Sequence, residues 1–464
     1  MTGSKLIPVI GAGLALVLAM PDFSWAQTVS ETEKPGISVT GMGALENGQF
    51  VKSNYTQSTQ QDRPWINRVY GQIRLYSKIN DHLSITVAPE VKLWFDTYPW
   101  QTMGNTAFAF PFSQRSTVVL ADAQAQLSFG DPNTVAINGS AGVMPYKYNN
   151  DAKNLGEYLF RSGARPAYLY NSFDFAYSRL NGIRLNTTML DNLSFDCFLT
   201  TETQAKPTLD WSLSFLARYR LPAMLEAGAG IMFDRLFPVM NSRTQPIDKD
   251  NVYLTETGEK MYWKFGGTKA VAHLALDPKF LLPEIVKSLF GEKDLRIYSE
   301  AAVLGIENTT PYKHPLDAGG NPDTTSQVID SAKLFYTDIM ERIPVMFGFN
   351  VPAFKILDYL SVELEWFGWQ YPNSYGNQGF QILLPTPIPV QSGKESLYQI
   401  DDNWKYSFNF KRTIYGHLSV IGQVSRDHTQ HDIYYPAYEA KNLYEEVFTQ
   451  KDNWGWWVKV QYTL

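Results

Sequence analysis

An all-β fold, a single closed antiparallel transmembrane β-barrel of about 16 strands, is predicted from three observations. Apolar and polar side chains alternate along segments longer than the roughly 5–6 residues of an ordinary soluble strand. The links between these segments fall into two alternating classes, short and long. No apolar run beyond residue 30 approaches the ~18 residues of a membrane helix. Any crossing of a bilayer then falls to strands that close on themselves and satisfy their own backbone.

Residues 83–96 set the pattern. Leu83, Ile85, Val87, Pro89, Val91, Leu93 and Phe95 share one face; Ser84, Thr86, Ala88, Glu90, Lys92, Trp94 and Asp96 share the other. Before them, Val69, Gly71, Ile73, Leu75 and Ile79 alternate with Gln72, Arg74 and Lys78, and Asn80-Asp81 supplies a tight turn. The same period recurs at Leu209–Leu221, where Asp210, Ser212, Ser214, Arg218 and Arg220 form the polar set. It recurs again at Leu360–Trp366 around Ser361, Glu363 and Glu365, and at Trp404–Lys411 around Lys405, Ser407 and Asn409. Strands are expected near 36–44, 66–79, 83–96, 115–129, 133–146, 172–189, 192–203, 208–221, 223–237, 261–276, 294–307, 333–350, 358–370, 404–412, 416–428 and 454–464.

Barrels of the outer membrane have short periplasmic turns and long extracellular loops. Short links at 80–82, 130–132, 190–191, 222 and 413–415 fit the first class. Long links at 45–65, 97–114, 147–171, 238–260, 308–332, 371–403 and 429–453 fit the second. Two links depart. The outer link 204–207 is short, and the inner link 277–294 is long. Leu281, Leu282, Ile285, Val286 and Leu289 give the latter the spacing of a short amphipathic helix at the periplasmic rim.

Residues 1–26 read as a secretory signal: Lys5, an uncharged apolar stretch from Leu6 to Met20, and Ser24-Trp25-Ala26 before a cleavage point at Gln27. The remainder, 27–464, reads as one domain without an internal linker. The single cysteine, Cys197, allows no intrachain disulfide, and no cysteine follows the cleavage point to carry a lipid. The formal net charge of −6 is too mild for a nucleic-acid partner. A mean hydropathy of −0.25 does not describe a bundle of membrane helices. Aromatics gather at the strand ends, as Trp94, Phe95, Tyr98 and Trp100, as Trp366, Phe367, Trp369 and Tyr371, and as Trp454, Trp456 and Trp457. Such rings favour the headgroup level of a bilayer.

On this architecture the chain resembles the Gram-negative outer-membrane porins over nearly its whole mature length. The final segment, Trp456 to Leu464, alternates and carries Tyr462; it looks like the C-terminal strand that the barrel-insertion machinery recognises, although Leu464 stands where the family usually ends in Phe. The resemblance implies a passive channel in the cell outer membrane, surrounded by lipid, with no cofactor and a homotrimeric assembly. It also implies that the third outer loop, 147–171, folds inward and narrows the pore. Lys147, Asp151, Lys153, Glu157, Arg161 and Arg165 are then the constriction charges, and Asp151–Phe160 is helix-compatible with Asp151 as its cap. The polar faces of the strands place Arg74, Glu90, Lys92, Asp122, Arg218, Arg220, Arg296, Glu300, Glu363, Glu365, Lys405 and Lys459 in a hydrated lumen open to small polar solutes or ions.

Three other readings stay open. Tyr70, Tyr76, Trp94, Tyr298, Trp369 and Trp457 would stack on sugar rings in a carbohydrate-selective channel. Glu363 and Glu365 share one strand face and imitate a glycosidase pair, although lumen-facing charge explains them more simply, and His428 with His431 imitates a metal pair. A soluble periplasmic binding protein would use the apolar faces as its core; the long strands and the paired link classes argue against it.

Overall fold

The computed structural model describes residues 36–52, 65–94, 115–131, 134–161, 178–189, 192–201, 210–237, 239, 267–306, 338–368, 403–429, 448 and 451–464, together with three short paired segments between 252 and 387. The signal segment 1–26, Arg165, Trp369 and His431 lie outside the described residues. One closed antiparallel sheet of sixteen strands contains nearly all of the rest. Its strands are β1 (Ile37–Lys52), β2 (Trp65–Lys78), β3 (Leu83–Trp94), β4 (Arg115–Asp131), β5 (Val135–Tyr146), β6 (Ser178–Met189), β7 (Leu193–Thr201), β8 (Trp211–Leu221), β9 (Leu225–Phe237), β10 (Gly267–Leu276), β11 (Ile297–Val303), β12 (Pro344–Asn350), β13 (Tyr359–Phe367), β14 (Trp404–Ile414), β15 (Leu418–Arg426) and β16 (Trp454–Thr463). Each strand pairs with its neighbours in the chain. β1 closes the ring on β16 with Leu45 opposite Val460 and Glu46 opposite Lys459.

All sixteen expected segments are strands, with shifted ends. β1 continues through 45–52, where a long link was expected, because its second half pairs on both sides, with β2 and with β16. β12 begins only at Pro344. The residues before it form a 3-10 turn, Ile339–Arg342, in which Asp338 and Glu341 close a capping box. At the Asn80-Asp81 turn the Asn80 side chain accepts the backbone N–H groups of His82 and Leu83 at 2.9 and 2.8 Å. That bond is why asparagine starts a turn so readily. The expected rim helix in 277–294 is broken into a 3-10 turn, Pro278–Leu281, and one helical turn, Glu284–Lys287. Pro283 stands between them and has no N–H to continue a helix.

Alternation has the sense expected for a barrel in lipid. Ile73, Ile85, Val91, Phe215 and Phe408 are exposed on the outer face, whereas Thr86, Lys92, Ser214, Glu363 and Lys405 are buried on the inner one. A soluble domain has the opposite arrangement. Outward-facing Trp65 and Trp456 meet edge to face at 6.0 Å near the loop end, and Trp366 and Trp404 are register partners there. Phe129, Tyr219 and Tyr462 are exposed near the turn end. Two of the expected girdle residues point the other way. Phe367 and Trp457 are buried on the inner face, since each is one residue out of phase with its outward neighbour, Trp366 or Trp456.

The hydrophobic core lies inside the barrel. It joins inward side chains from nine consecutive strands, β5 to β13, among them Phe198, Leu216, Met232, Val271 and Met346, with Tyr148, Ala152, Leu155, Tyr158 and Leu159 from the chain just after β5. The polar inner faces expected from the sequence therefore share the barrel interior with apolar side chains. One half of the inner wall is an apolar bed.

Candidate functional site: a segment held across the lumen

The bed exists to seat the residues after β5. Tyr146 ends that strand, and 147–161 turns inward. Within the segment, the Glu157 carboxylate accepts the backbone N–H groups of Tyr148, at 3.0 Å, and of Asn149. This closes 148–157 into a compact loop. The return is made at Gly156 and Glu157, both left-handed with φ of 86° and 62°. Gly156 is required there for a second reason: a Cβ would lie 2.8 Å from Met346 Cε and 3.1 Å from Glu300 Oε2. A single helical turn follows, α1 (Tyr158–Arg161).

Three carboxylates on the opposite wall hold this loop. Glu300 on β11 accepts four donors: Tyr148 Oη at 2.5 Å, Asn149 Nδ2 at 2.8 Å, and the backbone N–H groups of Glu157 and Tyr158 at 2.9 and 2.7 Å. Glu363 on β13 accepts the backbone N–H groups of Lys153, Asn154 and Leu155, the last two at 2.8 and 2.9 Å, and Tyr298 Oη at 2.8 Å. Glu365 accepts Tyr158 Oη at 2.6 Å and meets the His428 ring. At the tip, Asn154 Nδ2 donates to Ser407 Oγ at 3.1 Å and to Asp427 Oδ2 at 2.5 Å. β5 and β13 stand eight strands apart in a ring of sixteen, so the segment bridges the full width of the barrel. Burial, and next the neighbouring Glu300 carboxylate, push the Glu157 carboxyl up to about 8.

The expected helix from Asp151 to Phe160 is accordingly corrected to one turn at its end. The backbone donors that a helix would use internally are given to Glu300 and Glu363 instead. Asp151 caps nothing; its carboxylate pairs with Arg296 at 2.7 Å and faces Lys293 at 3.8 Å. Lys147 Nζ donates to the Ala152 carbonyl, and Lys153 Nζ to the Asp151 carbonyl, each at 2.7 Å. These charges shape the segment itself. Arg161 ends α1, and its side chain lies outside the described residues.

The other residues expected in the lumen make the following contacts. Arg74 pairs with Asp122 at 3.1 Å, and Lys92 and Arg179 both pair with Glu90, at 2.7 and 3.1 Å. Arg218 pairs with Asp196 and Arg220 with Glu226. Lys405 Nζ donates to the Phe448 carbonyl at 2.8 Å, and buried Lys459 stands opposite Glu46 in register. Of the expected sugar platforms, Tyr70 and Tyr298 are buried with their hydroxyls on Glu46 and Glu363, and Trp457 is buried beside Phe50. The Trp94 side chain is not among the described ones, and Tyr76 is exposed. Glu363 and Glu365 have their oxygens occupied by the segment, and His428 is committed to Glu365. The roles of Tyr148, Asn149, Asn154 and Asp427 were missed in the sequence. For the first three the only local signal is an unusual density of donors between 146 and 158, and Asp427, far along the chain, carries none.

Inward glycines make room for the wall side chains. A Cβ at Gly348 would lie 2.1 Å from the Tyr298 ring, whose hydroxyl binds Glu363. Gly348→Val is expected to cost about 1–3 kcal/mol through overpacking and to weaken the Glu363 anchor. Urea unfolding of the refolded barrel in detergent measures the cost.

A closed sixteen-stranded antiparallel barrel with a segment carried across its lumen is thus the architecture of this chain. Similar solved structures are porins and other outer-membrane proteins. A mutant of the Rhodopseudomonas blastica porin aligns at 11% identity and a TM-score of 0.40, over 92% of this chain and 100% of that one. OmpF of Salmonella typhi, in complex with daunomycin, aligns at 8% and 0.43, over 93% and 98%. OmpT, an outer membrane protein of Vibrio cholerae in its trimer form, aligns at 7% and 0.42, over 93% and 100%. No family model matches the sequence, and no curated protein matches it.

Proposed function

We propose that this chain is a porin-like, non-enzymatic channel of the outer membrane, through which small polar solutes or ions diffuse passively past the inward segment. The observation that carries the reading is the set of anchors Glu300, Glu363 and Glu365, which fix the segment at 147–161 across the barrel. A structural barrel has no use for a loop pinned by eight or more hydrogen bonds inside it; a channel uses one to set its width. In this reading Lys147, Asp151, Lys153 and Glu157 act mainly by fixing the course of the segment, and Arg161 and Arg165 complete the constriction charges. Insertion through the C-terminal strand and assembly as a homotrimer belong to the same reading.

The apolar outer face supports residence in lipid and gives a direct test. Phe215 is exposed on the outer face at the middle of β8. In a bilayer Phe215→Arg is expected to destabilise the barrel by about 2–4 kcal/mol. In a soluble barrel the same change would cost almost nothing. Denaturant unfolding from lipid vesicles decides between them. The channel itself is tested by reconstituting the mature chain in a planar bilayer. Stepwise single-channel current is expected, and silence from a folded, inserted barrel would overturn the proposal.

A further inference from the structure

On the turn side of the lumen, five arginines pair with carboxylates at 2.7–3.2 Å: Arg74 with Asp122, Arg184 and Arg218 with Asp196, Arg220 with Glu226, and Arg296 with Asp151. In every pair the two partners differ in depth. The arginine side chains are 18–56% exposed, and the carboxylate side chains are 8% exposed or less. Asp122, Asp196 and Glu226 form a back layer against the strands, Asp151 is carried on the inward segment, and the guanidinium groups form the more exposed surface over all four. Each contact is made through Nη2, joined by Nε in Arg184 and Arg220. A guanidinium has five N–H donors, so each arginine keeps donors for a solute.

The layering decides the sign of the field that a passing ion meets. Counted as charges, these pairs nearly cancel. Coulomb energy falls with distance, however, so a solute touching the wall is governed by the guanidinium in contact, not by the carboxylate behind it. The groups also stand on opposite sides of the lumen. Arg74 belongs to β2, and Arg218 and Arg220 belong to β8, six strands away in the ring of sixteen. Guanidinium pairs with planar oxyanions through two parallel hydrogen bonds and is weakly hydrated, so it gives up its water at modest cost.

We propose that the lumen is anion-selective and that its favoured solutes carry an oxyanion, a carboxylate or a phosphate. This rests on the channel reading above, and the test separates the two. The reconstituted barrel is placed in a KCl gradient of about tenfold and the zero-current voltage is read. It is expected to move toward the chloride equilibrium value, with chloride favoured over potassium roughly threefold or more. Inorganic phosphate or acetate on one side is expected to lower the chloride current, and whichever does so at lower concentration identifies the better matched oxyanion. Replacing the two most exposed arginines, R74Q with R220Q, uncovers Asp122 and Glu226 and is expected to bring the ratio to unity or below. R74K with R220K is expected to keep it above unity. Clear conductance with potassium preferred in the parent barrel overturns this inference alone, and so does a ratio unchanged in the glutamine variant. Absence of any conductance removes the channel reading and this inference together.

Discussion

A Glu363→Ala barrel is expected to pass several times the current of the parent. Glu363 is fully buried and gathers three consecutive backbone N–H groups, from Lys153 to Leu155, with the Tyr298 hydroxyl. Hydrogen bonds to a charged acceptor contribute about 1.5–3 kcal/mol each. Removing the carboxylate loses all four at once and leaves buried donors without an acceptor, at a further ~1–3 kcal/mol apiece. Against this stands the apolar seating of Leu155 and Leu159, worth roughly 1.5–3 kcal/mol for each side chain. The anchor loss exceeds the seating, so the tip of the segment leaves the wall and the lumen widens. The barrel itself should survive, since its closure depends on sixteen strand ladders that do not involve this side chain. Single-channel conductance in a planar bilayer measures the widening, and Glu363→Gln, which keeps one acceptor oxygen, should give an intermediate value. Unchanged conductance in the alanine variant would mean that the anchors at Glu300, Glu365 and Asn154, with the apolar packing, seat the segment without Glu363.

Much of the barrel was legible in the sequence because the strands alternate between an apolar outer face and an inner face rich in polar side chains. Ile85, Val87 and Val91 alternate with Thr86, Glu90 and Lys92 for a reason that acts on each residue separately, and no knowledge of partners is needed to read it. The interior was less legible because it is not one medium. In β8 the polar set Ser212, Ser214, Arg218 and Arg220 is interrupted by Leu216, which faces inward and is buried with Leu159 close to its neighbour Gly230. Phe198, Val271 and Met346 interrupt their strands in the same way. An apolar residue on a polar face is the mark of something packed against it. Read together, these interruptions locate the half of the wall that carries the inward segment.

The site was half legible. Glu300, Glu363 and Glu365 stand out in the sequence only as charges on polar strand faces, whereas their hydrogen bonds go to the inward segment, and this depends on residues 142–210 positions away in the chain. The spacing of Ala152, Leu155 and Leu159 suits a helix, and all three are indeed buried on one side. Local spacing records which side chains are buried together; it cannot record that distant carboxylates take the backbone donors and leave only one helical turn. Phe367 and Trp457 failed for a related reason. Aromatic character draws a residue to either an interface or a core, and only the strand phase separates Trp366 from Phe367.

Raising the pH from about 4.5 to about 8 is expected to open the channel. Glu157 and Glu300 lie together in the buried base of the segment, where Glu300 receives the Glu157 backbone N–H at 2.9 Å. Desolvation opposes charge there, and two adjacent carboxylates oppose it further, so the Glu157 carboxyl is held up to about 8. The groups facing it are Glu300 across the lumen, Lys147 on its own loop, and the backbone N–H groups of Tyr148 and Asn149. Among the described residues the opposing positive charge is Lys147, whose Nζ donates to the Ala152 carbonyl. A carboxyl whose value is raised in the docked state favours docking fully below its value in the free loop, near the model value of 4.5, and loses that contribution as pH rises through about 8. The segment should therefore be most firmly seated below about pH 4.5, lose that hold progressively between about pH 4.5 and 8, and change little above it. Conductance recorded across that range should increase with pH. Glu157→Gln, which preserves an acceptor for Tyr148 and Asn149 but carries no titrating proton, should stay closed at pH 9. A parent barrel whose conductance falls or stays level over the same range would show that the buried pair does not govern docking. The seating would then rest on the remaining anchors, Glu363 and Glu365, and on the apolar bed beneath Leu155 and Leu159.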